Sequence, residues 1–377
     1  MTTHLDSPTP ASADTPQGTL LPLRNPPTTP HPPRRKLGLV TAEEHFVRWG
    51  TVVAGFALAW MVCYRVMPWG RLLPWFVLGI LFTVVITAVV GLERGGVPEL
   101  ADRVMSVIVH TGALVVFLAL LSAVGYTFYR GWSALGHPNM FYKDMSGVGP
   151  ADPLDRGGFA HAILGTLIEI AIAIAITLPL GIGTAVYMTE VGGRFARVVR
   201  TVVEAMTALP SIVAGLFIYT TVVLMLGVPK SGLAGALAIA VMMLPIIARA
   251  ADVVLRVVPG SLREASLALG ASRWKTVWHV VLPTARPGLA TALILGIARG
   301  IGETSPVLLT SGTAPFFVTD PTSGVMNSLP LYVFSAVRSG EPGLEVRGFG
   351  AASALLALVL VLFVVARWLA RPRKAGR

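Results

Sequence analysis

Cysteine and charge are the two scarcities of this 377-residue chain: it has one cysteine, Cys63, and only 13% of its residues are Asp, Glu, Lys or Arg. A lone thiol allows neither an intramolecular disulfide framework nor a cysteine metal site. A soluble domain carries about 25% charged residues, so a chain this poor in charge and 54% hydrophobic is a polytopic membrane protein. There is no G-x4-G-K-[ST] loop to cradle nucleotide phosphates, and no H-E-x-x-H or Asp/His cluster. The expectation is therefore no ATP site of its own, no hydrolytic centre, no metal and no cofactor. The formal net charge of +11 could point to nucleic acid. Its Lys and Arg residues sit in short segments between apolar runs, however, where they set topology, and no nucleic-acid partner is expected.

What is abundant is apolar sequence in long runs. Eight are near the roughly 20 residues needed to cross a bilayer: Phe46–Val66, Leu72–Leu92, Val104–Tyr129, His161–Met188, Val202–Leu226, Gly232–Ala248, Gly288–Ser311 and Gly350–Trp368. The fold class is all-α, a polytopic membrane helical bundle of about eight transmembrane helices. Residues 1–43 are rich in Pro, Thr and Ser and read as a disordered cytoplasmic tail. Arg34, Arg35 and Lys36 follow a long polar stretch and no small-residue cleavage pattern follows the first run, unlike a signal peptide. Residues 44–98 read as a transmembrane hairpin whose charged end, Glu93 to Arg103, returns the chain to the side of the tail. Counting positive flanks puts Arg194, Arg197, Arg200, Arg249, Arg256, Arg263, Arg273, Lys275, Arg286 and the basic tail at 371–377 on that same side, so both termini are expected in the cytoplasm. Arg130 to Asp155 and Gly312 to Arg347 read as outer surface loops.

The stretch from Ser261 to Pro306 organises the rest. Ser261 and Glu264 have capping-box spacing, Gly270 is a left-handed helix stop, and Ser272 can cap a second helix that Pro283 cannot continue. On that second helix Trp274, Val277, Trp278 and Val281 share one face, which calls for an apolar groove. Glu264, Ala265, Ser266, Gly270, Val280, Leu282 and Pro283 fit the spacing E-A-A-x3-G-x9-[I/V]-x-L-P, with Ser266 in place of the second Ala. This resembles the cytoplasmic EAA loop of type I ABC importer permeases. The resemblance implies that Glu264, Ala265, Gly270, Leu282 and Pro283 couple the chain to an ATP-hydrolysing subunit. The bare alternative is an amphipathic helix lying on the membrane surface.

Several runs are broken. Pro179 with Gly181 and Gly183, Pro210, and Pro245 each free a backbone carbonyl inside lipid, either for packing or to line a pathway. LPLGIGTAVYMTE, ALPSIVAGLF and LPIIAR are similar to the PstA-type permeases of phosphate ABC importers. The resemblance covers roughly residues 105 to 367. It implies a permease domain over 99–370, a core of about six helices preceded by the hairpin, with the EAA loop at 261–283.

Arg299-Gly-Ile-Gly-Glu303-Thr304 carries the chemistry. At about 1.5 Å per residue from Pro287, Arg299 lies roughly 18 Å into its span and Glu303 roughly 24 Å. Charged residues so deep face a cavity or a partner. An i, i+4 pair can neutralise itself structurally. Alternatively, Arg299 can offer donors matched to phosphate oxygens, with Glu303 holding or exchanging the Arg. The R-x3-G-E-T-x-P pattern is similar to that of phosphate permeases and implies a translocation role for Arg299, Glu303 and Thr304. Glu169, with no local cation, is expected to pair across helices, with Arg299 a possible partner, or to face water.

By resemblance, the chain is the inner-membrane permease of a bacterial phosphate ABC importer. Its partners would be a second homologous permease, a cytoplasmic ATP-binding subunit dimer and an extracytoplasmic phosphate-binding protein. The alternatives are a permease for another oxyanion and a non-transporting scaffold or sensor that docks an ATPase.

Overall fold

A computed structural model describes residues 42–67 and 71–369. Most of the N-terminal tail, the turn at 68–70 and the basic tail at 371–377 lie outside the described residues. The chain divides into two compact units, one up to Val115 and one from Val116.

The first unit begins with α1 (Ala42–Met61), prolonged by a π-helical segment Val62–Val66 that buries Cys63. It continues with α2 (Leu72–Leu135), of which residues up to Val115 belong here. Trp75 donates its ring N–H to Phe56 O at 3.2 Å and meets the Phe56 ring edge-on at 5.3 Å, joining the two arms of the expected hairpin. Gly96 breaks α2 with φ 70° and ψ −157°, a conformation only glycine adopts freely. Pro98 follows, removing one more donor. The chain reverses here: a Cβ on Gly91 would lie 2.9 Å from Leu100 Cα. The second and third apolar runs are therefore separate passes.

In the second unit, beyond the end of α2, come a 3₁₀ turn Pro138–Phe141, then α3 (Ala160–Val186) and its π-helical continuation Tyr187–Val191. Next are α4 (Gly193–Thr207), α5 (Ser211–Ile218, prolonged by π-helical Tyr219–Met225), α6 (Gly232–Val257) and α7 (Gly260–Ala268). α8 (Arg273–Thr276) runs through a π-helical segment Val277–Val281 into α9 (Leu282–Gly300). The short α10 (Ser305–Thr310), α11 (Leu329–Arg338) and α12 (Pro342–Leu369) complete it.

α6 is the axis, packed by α3 and α9, with Ile239, Met243 and Ile247 meeting Ile170 and Ala173 of α3 and Ile297 of α9. In lipid, burying these side chains gains little by transfer, so close backbone approach and van der Waals contact must hold the helices. Glycine supplies the approach. Cβ atoms on Gly181 and Gly296 would come within 2.8 and 2.5 Å of the Ile247 side chain.

Six described helices are long and apolar enough to cross a membrane, or seven if one bent pair is a single span. With α2 holding two runs, this agrees with about eight. Three segments differ locally from the reading of the sequence. The run at 202–226, expected to break at Pro210, turns there through 106° between α4 and the 211–225 helix, far more than a kink. The polar α4, carrying Arg194, Arg197 and Arg200, cannot follow its apolar neighbour into lipid. The run at 288–311 stops at Gly300 and resumes as α10. Finally, 312–347 is more than a surface loop. It contains α11, whose Leu329 and Leu331 are completely buried, and it ends at Arg347, also completely buried.

Candidate functional site

α9 ends where the sequence offers Gly300 and Gly302 around Ile301. Gly300 abuts α6 so tightly that a Cβ would lie 2.5 Å from Met243 Sδ. Glu303 N–H closes the turn on Gly300 O at 3.2 Å, and α10 starts with Pro306 in its first turn. Arg299 Nη2 stands 3.1 Å from Glu303 Oε1, as the i, i+4 spacing suggested, but the helix ends between them. Their environments therefore differ: the Arg299 side chain is 57% exposed and that of Glu303 only 8%. The contact is an ion pair without hydrogen-bond alignment, since Glu303 Oε1 is buried and receives no aligned N–H. Thr304 precedes α10, half-buried, and its hydroxyl does not cap the helix. Across from α10 lies α5, where a Cβ on Gly215 would sit 2.5 Å from Pro306 Cα.

Glu169 does not reach Arg299. It is 1% exposed and hydrogen-bonded to Ser311 Oγ at 2.6 Å. Arg347, read only as the end of a loop, points its Nη2 at the carbonyls of Asp152, Pro153 and Arg156 at 3.2, 2.8 and 2.9 Å, pinning the 149–158 loop over the bundle. No local pattern announces it, because its acceptors are backbone atoms far away in sequence.

At the other candidate element, Gly270 is the left-handed stop, with φ +84°, and Ser272 Oγ accepts from Lys275 N–H at 3.3 Å, as the sequence implied. The capping box does not form. α7 begins at Gly260 behind Pro259, placing Ser261 already inside the first turn, and Glu264 is exposed and makes no hydrogen bond among the described residues. Nor does Pro283 end the second helix, since one helix runs from Arg273 to Gly300. The wider π turn at Val277–Val281 accommodates a residue that has no N–H to give. The apolar face divides: Val277 and Val281 are buried, and Val281 packs with Ala185, Leu255 and Ala285. Trp274 and Trp278 remain 64% and 54% exposed, ring against ring at 5.7 Å. Ala265 is exposed, Leu282 half-buried and Pro283 exposed.

What orients this loop is Arg263, which the sequence presented only as a topological charge. Its Nη2 lies 2.9 Å from Glu190 Oε1 at the end of the α3 helix and 2.9 Å from Leu255 O, while Nη1 donates to Val258 O at 2.8 Å. One planar fork thus ties α7 to α3 and to the carboxyl end of α6. Ser266, the departure from the motif, hydrogen-bonds Thr276 Oγ1 at 2.9 Å and joins α7 to α8.

Residues 177–374 match the family described as binding-protein-dependent transport system inner membrane component. The chain belongs to this family. It is 36% identical to phosphate transport system permease protein PstA 1 of Mycobacterium tuberculosis strain H37Rv, over 71% of this chain and 87% of that protein. It is 37% identical to PstA of Mycobacterium leprae over 74% of this chain and 92% of the relative, and 39% identical to PstA of Yersinia pestis over 55% and 70%. Among solved structures, an inward-facing form of the MetNI methionine ABC transporter matches 56% of this chain and 89% of its own, at 20% identity and a TM-score of 0.42. As a family member the chain is a multi-pass inner-membrane component of a binding-protein-dependent transport system.

A first expected outcome concerns this loop. Glu264→Ala removes an exposed side chain with no hydrogen bond among the described residues, so stability should stay within about 0.5 kcal/mol. Arg263→Met leaves Glu190 and two helix-end carbonyls without their donor, and α7 loses its anchor to α3 and α6. In the reconstituted complex, Arg263→Met should keep ATP hydrolysis while uptake per ATP falls at least several-fold. Equal uptake per ATP in wild type and Arg263→Met would show that α7 is oriented by other contacts.

Proposed function

We propose that this chain is the phosphate-conducting permease of an ABC importer, driven by a separate ATPase and supplied by an extracytoplasmic phosphate-binding protein. The observation that carries the reading is Arg299 held at the broken end of α9, in a chain more than a third identical to relatives named as phosphate transport permeases. A guanidinium suits a phosphate: it stays charged and presents several donors in one plane. A helix break in the bundle core is where transporter sites are commonly built. The half-exposed face of Arg299 in a single chain fits a pathway completed by a second permease. Thr304, next to the ion pair, adds a hydroxyl that is not spent on capping α10.

The loop at 261–283, with Leu269 at 89% exposure and both tryptophans uncovered, fits docking to the ATPase dimer in the cytoplasm. Both termini would lie on the same side as this loop. In this reading the chain has no catalytic residue of its own, and the domain limits are the tail 1–43, the hairpin 44–98, the permease domain 99–370 and the basic tail 371–377.

The test is a complex reconstituted in vesicles with its partners. Phosphate delivered by the binding protein should stimulate ATP hydrolysis and accumulate inside, and other oxyanions should do neither at equal concentration. Stimulation by a rival anion alone would reassign the substrate, and ATPase docking without flux would make the chain a scaffold. Orientation has its own measurement. Because Cys63 is completely buried, background labelling should be low. A cysteine at Gly340 should react with an impermeant thiol reagent outside intact cells and one at Ser272 should not. The reverse pattern would move the docking loop to the outside.

A further inference from the structure

Glu169 lies within α3 with no cation beside it, and Ser311 is its one hydrogen-bond partner among the described residues. Ser311 Oγ stands between two acceptors, 2.6 Å from Glu169 Oε1 and 2.8 Å from Met326 O. A hydroxyl has one proton to give, a backbone carbonyl has none, and an ionised carboxylate has none. If Glu169 were ionised, one of these two short contacts would hold no proton, and a buried acceptor left without a donor costs about 1–3 kcal/mol. If Glu169 is a carboxylic acid the count closes: Glu169 donates to Ser311 Oγ and Ser311 donates to Met326 O.

A second carboxyl shares the site. Thr166, Glu169, Glu303 and Ser328 line one cavity of about 10 Å³ beside the break between α9 and α10. Two buried oxygens of these residues, Glu303 Oε1 and Ser328 Oγ, have no hydrogen-bond partner among the described residues. Two carboxylates on one site cannot both ionise easily. Arg299, 3.1 Å from Glu303, decides which one keeps the charge.

We propose that Glu169 and Glu303 form a proton-binding site in the core of the bundle, with one proton resting on Glu169, where it is donated to Ser311, and Glu303 paired with Arg299. The site goes beyond the transport reading and holds whichever solute passes Arg299.

The measurement is infrared difference spectroscopy of the assembled transporter in bilayers at neutral pH, in the region of the protonated-carboxyl C=O stretch. Wild type should show such a band, and it should shift in D₂O. Glu169→Gln should remove it, because the Gln amide takes over the donation to Ser311 without an acid. Glu303→Gln should keep it. No protonated-carboxyl band in wild type would overturn the proposal without any variant. So would a wild-type band untouched by Glu169→Gln.

Discussion

Replacing Arg299 and Glu303 together by glutamine is expected to leave a complex that assembles and docks its ATPase yet moves almost no phosphate. The single variants should not behave alike. Glu303→Gln leaves Arg299 alone, but that side chain is 57% exposed and its charge is solvated or meets the pathway, so assembly should survive. Arg299→Gln strands Glu303, 8% exposed, and breaking a buried pair costs about 3–5 kcal/mol if the remaining group stays charged. Less assembled complex should then be recovered. The double variant removes both charges and with them this cost, so assembly returns.

Transport decides between a structural pair and an anion site. If the two charges only neutralise each other, uptake returns with assembly. If Arg299 meets the anion, the loss of a charge-assisted contact worth about 1.5–3 kcal/mol lowers uptake by roughly 10- to 100-fold whatever occupies position 303. The quantity to compare is uptake normalised to assembled complex, with the exchanged pair Arg299→Glu, Glu303→Arg as the control on geometry. Near-normal uptake in the double glutamine variant would remove Arg299 from the pathway.

A larger effect on folding is expected from Gly165→Ala, a single methyl group. A Cβ at Gly165 would fall on the carbonyl oxygen of Asn327. That segment has nowhere to move. Leu329 N–H donates to Thr166 Oγ1 at 2.7 Å, Asn327 Nδ2 donates to Ala314 O at 3.2 Å, and Met326 O is held by Ser311. Overpacking costs about 1–3 kcal/mol in a core that can adjust, and here the clash is with pinned backbone, so the loss should lie at or above the top of that range. Gly183→Ala, on the same helix with nothing within 4 Å of its Cβ, should be neutral or stabilising by up to about 1 kcal/mol. Thermal unfolding of the purified permease in detergent would compare them, and equal midpoints would show that the 326–329 segment is free to yield.

Sequence alone identified the membrane passes, because whether some 20 residues prefer lipid depends on those residues and their solvent. Gly270 and Ser272 were legible for the same reason: a left-handed stop and a hydroxyl cap act within a single turn. So was the Arg299 to Glu303 contact, which i, i+4 spacing delivers even where the helix ends between the two. The capping box at Ser261 and Glu264 was equally local in form and still failed. Arg263 is bonded to Glu190, Leu255 and Val258, in a clamp that sets how α7 leaves α6.

Tertiary structure decided what depended on partners far along the chain. Glu169 found Ser311 rather than Arg299, Arg347 found the carbonyls of the 149–158 loop, and Pro210 became a corner of 106° rather than a kink. The glycines at 165 and 183 look alike in sequence, and only the helix packing separates the one that admits no methyl group from the one that faces open space. Helix formation in lipid is set by each segment's own hydrogen bonds. Which buried polar groups meet is set by how the helices pack, and spacing along one segment does not carry that information.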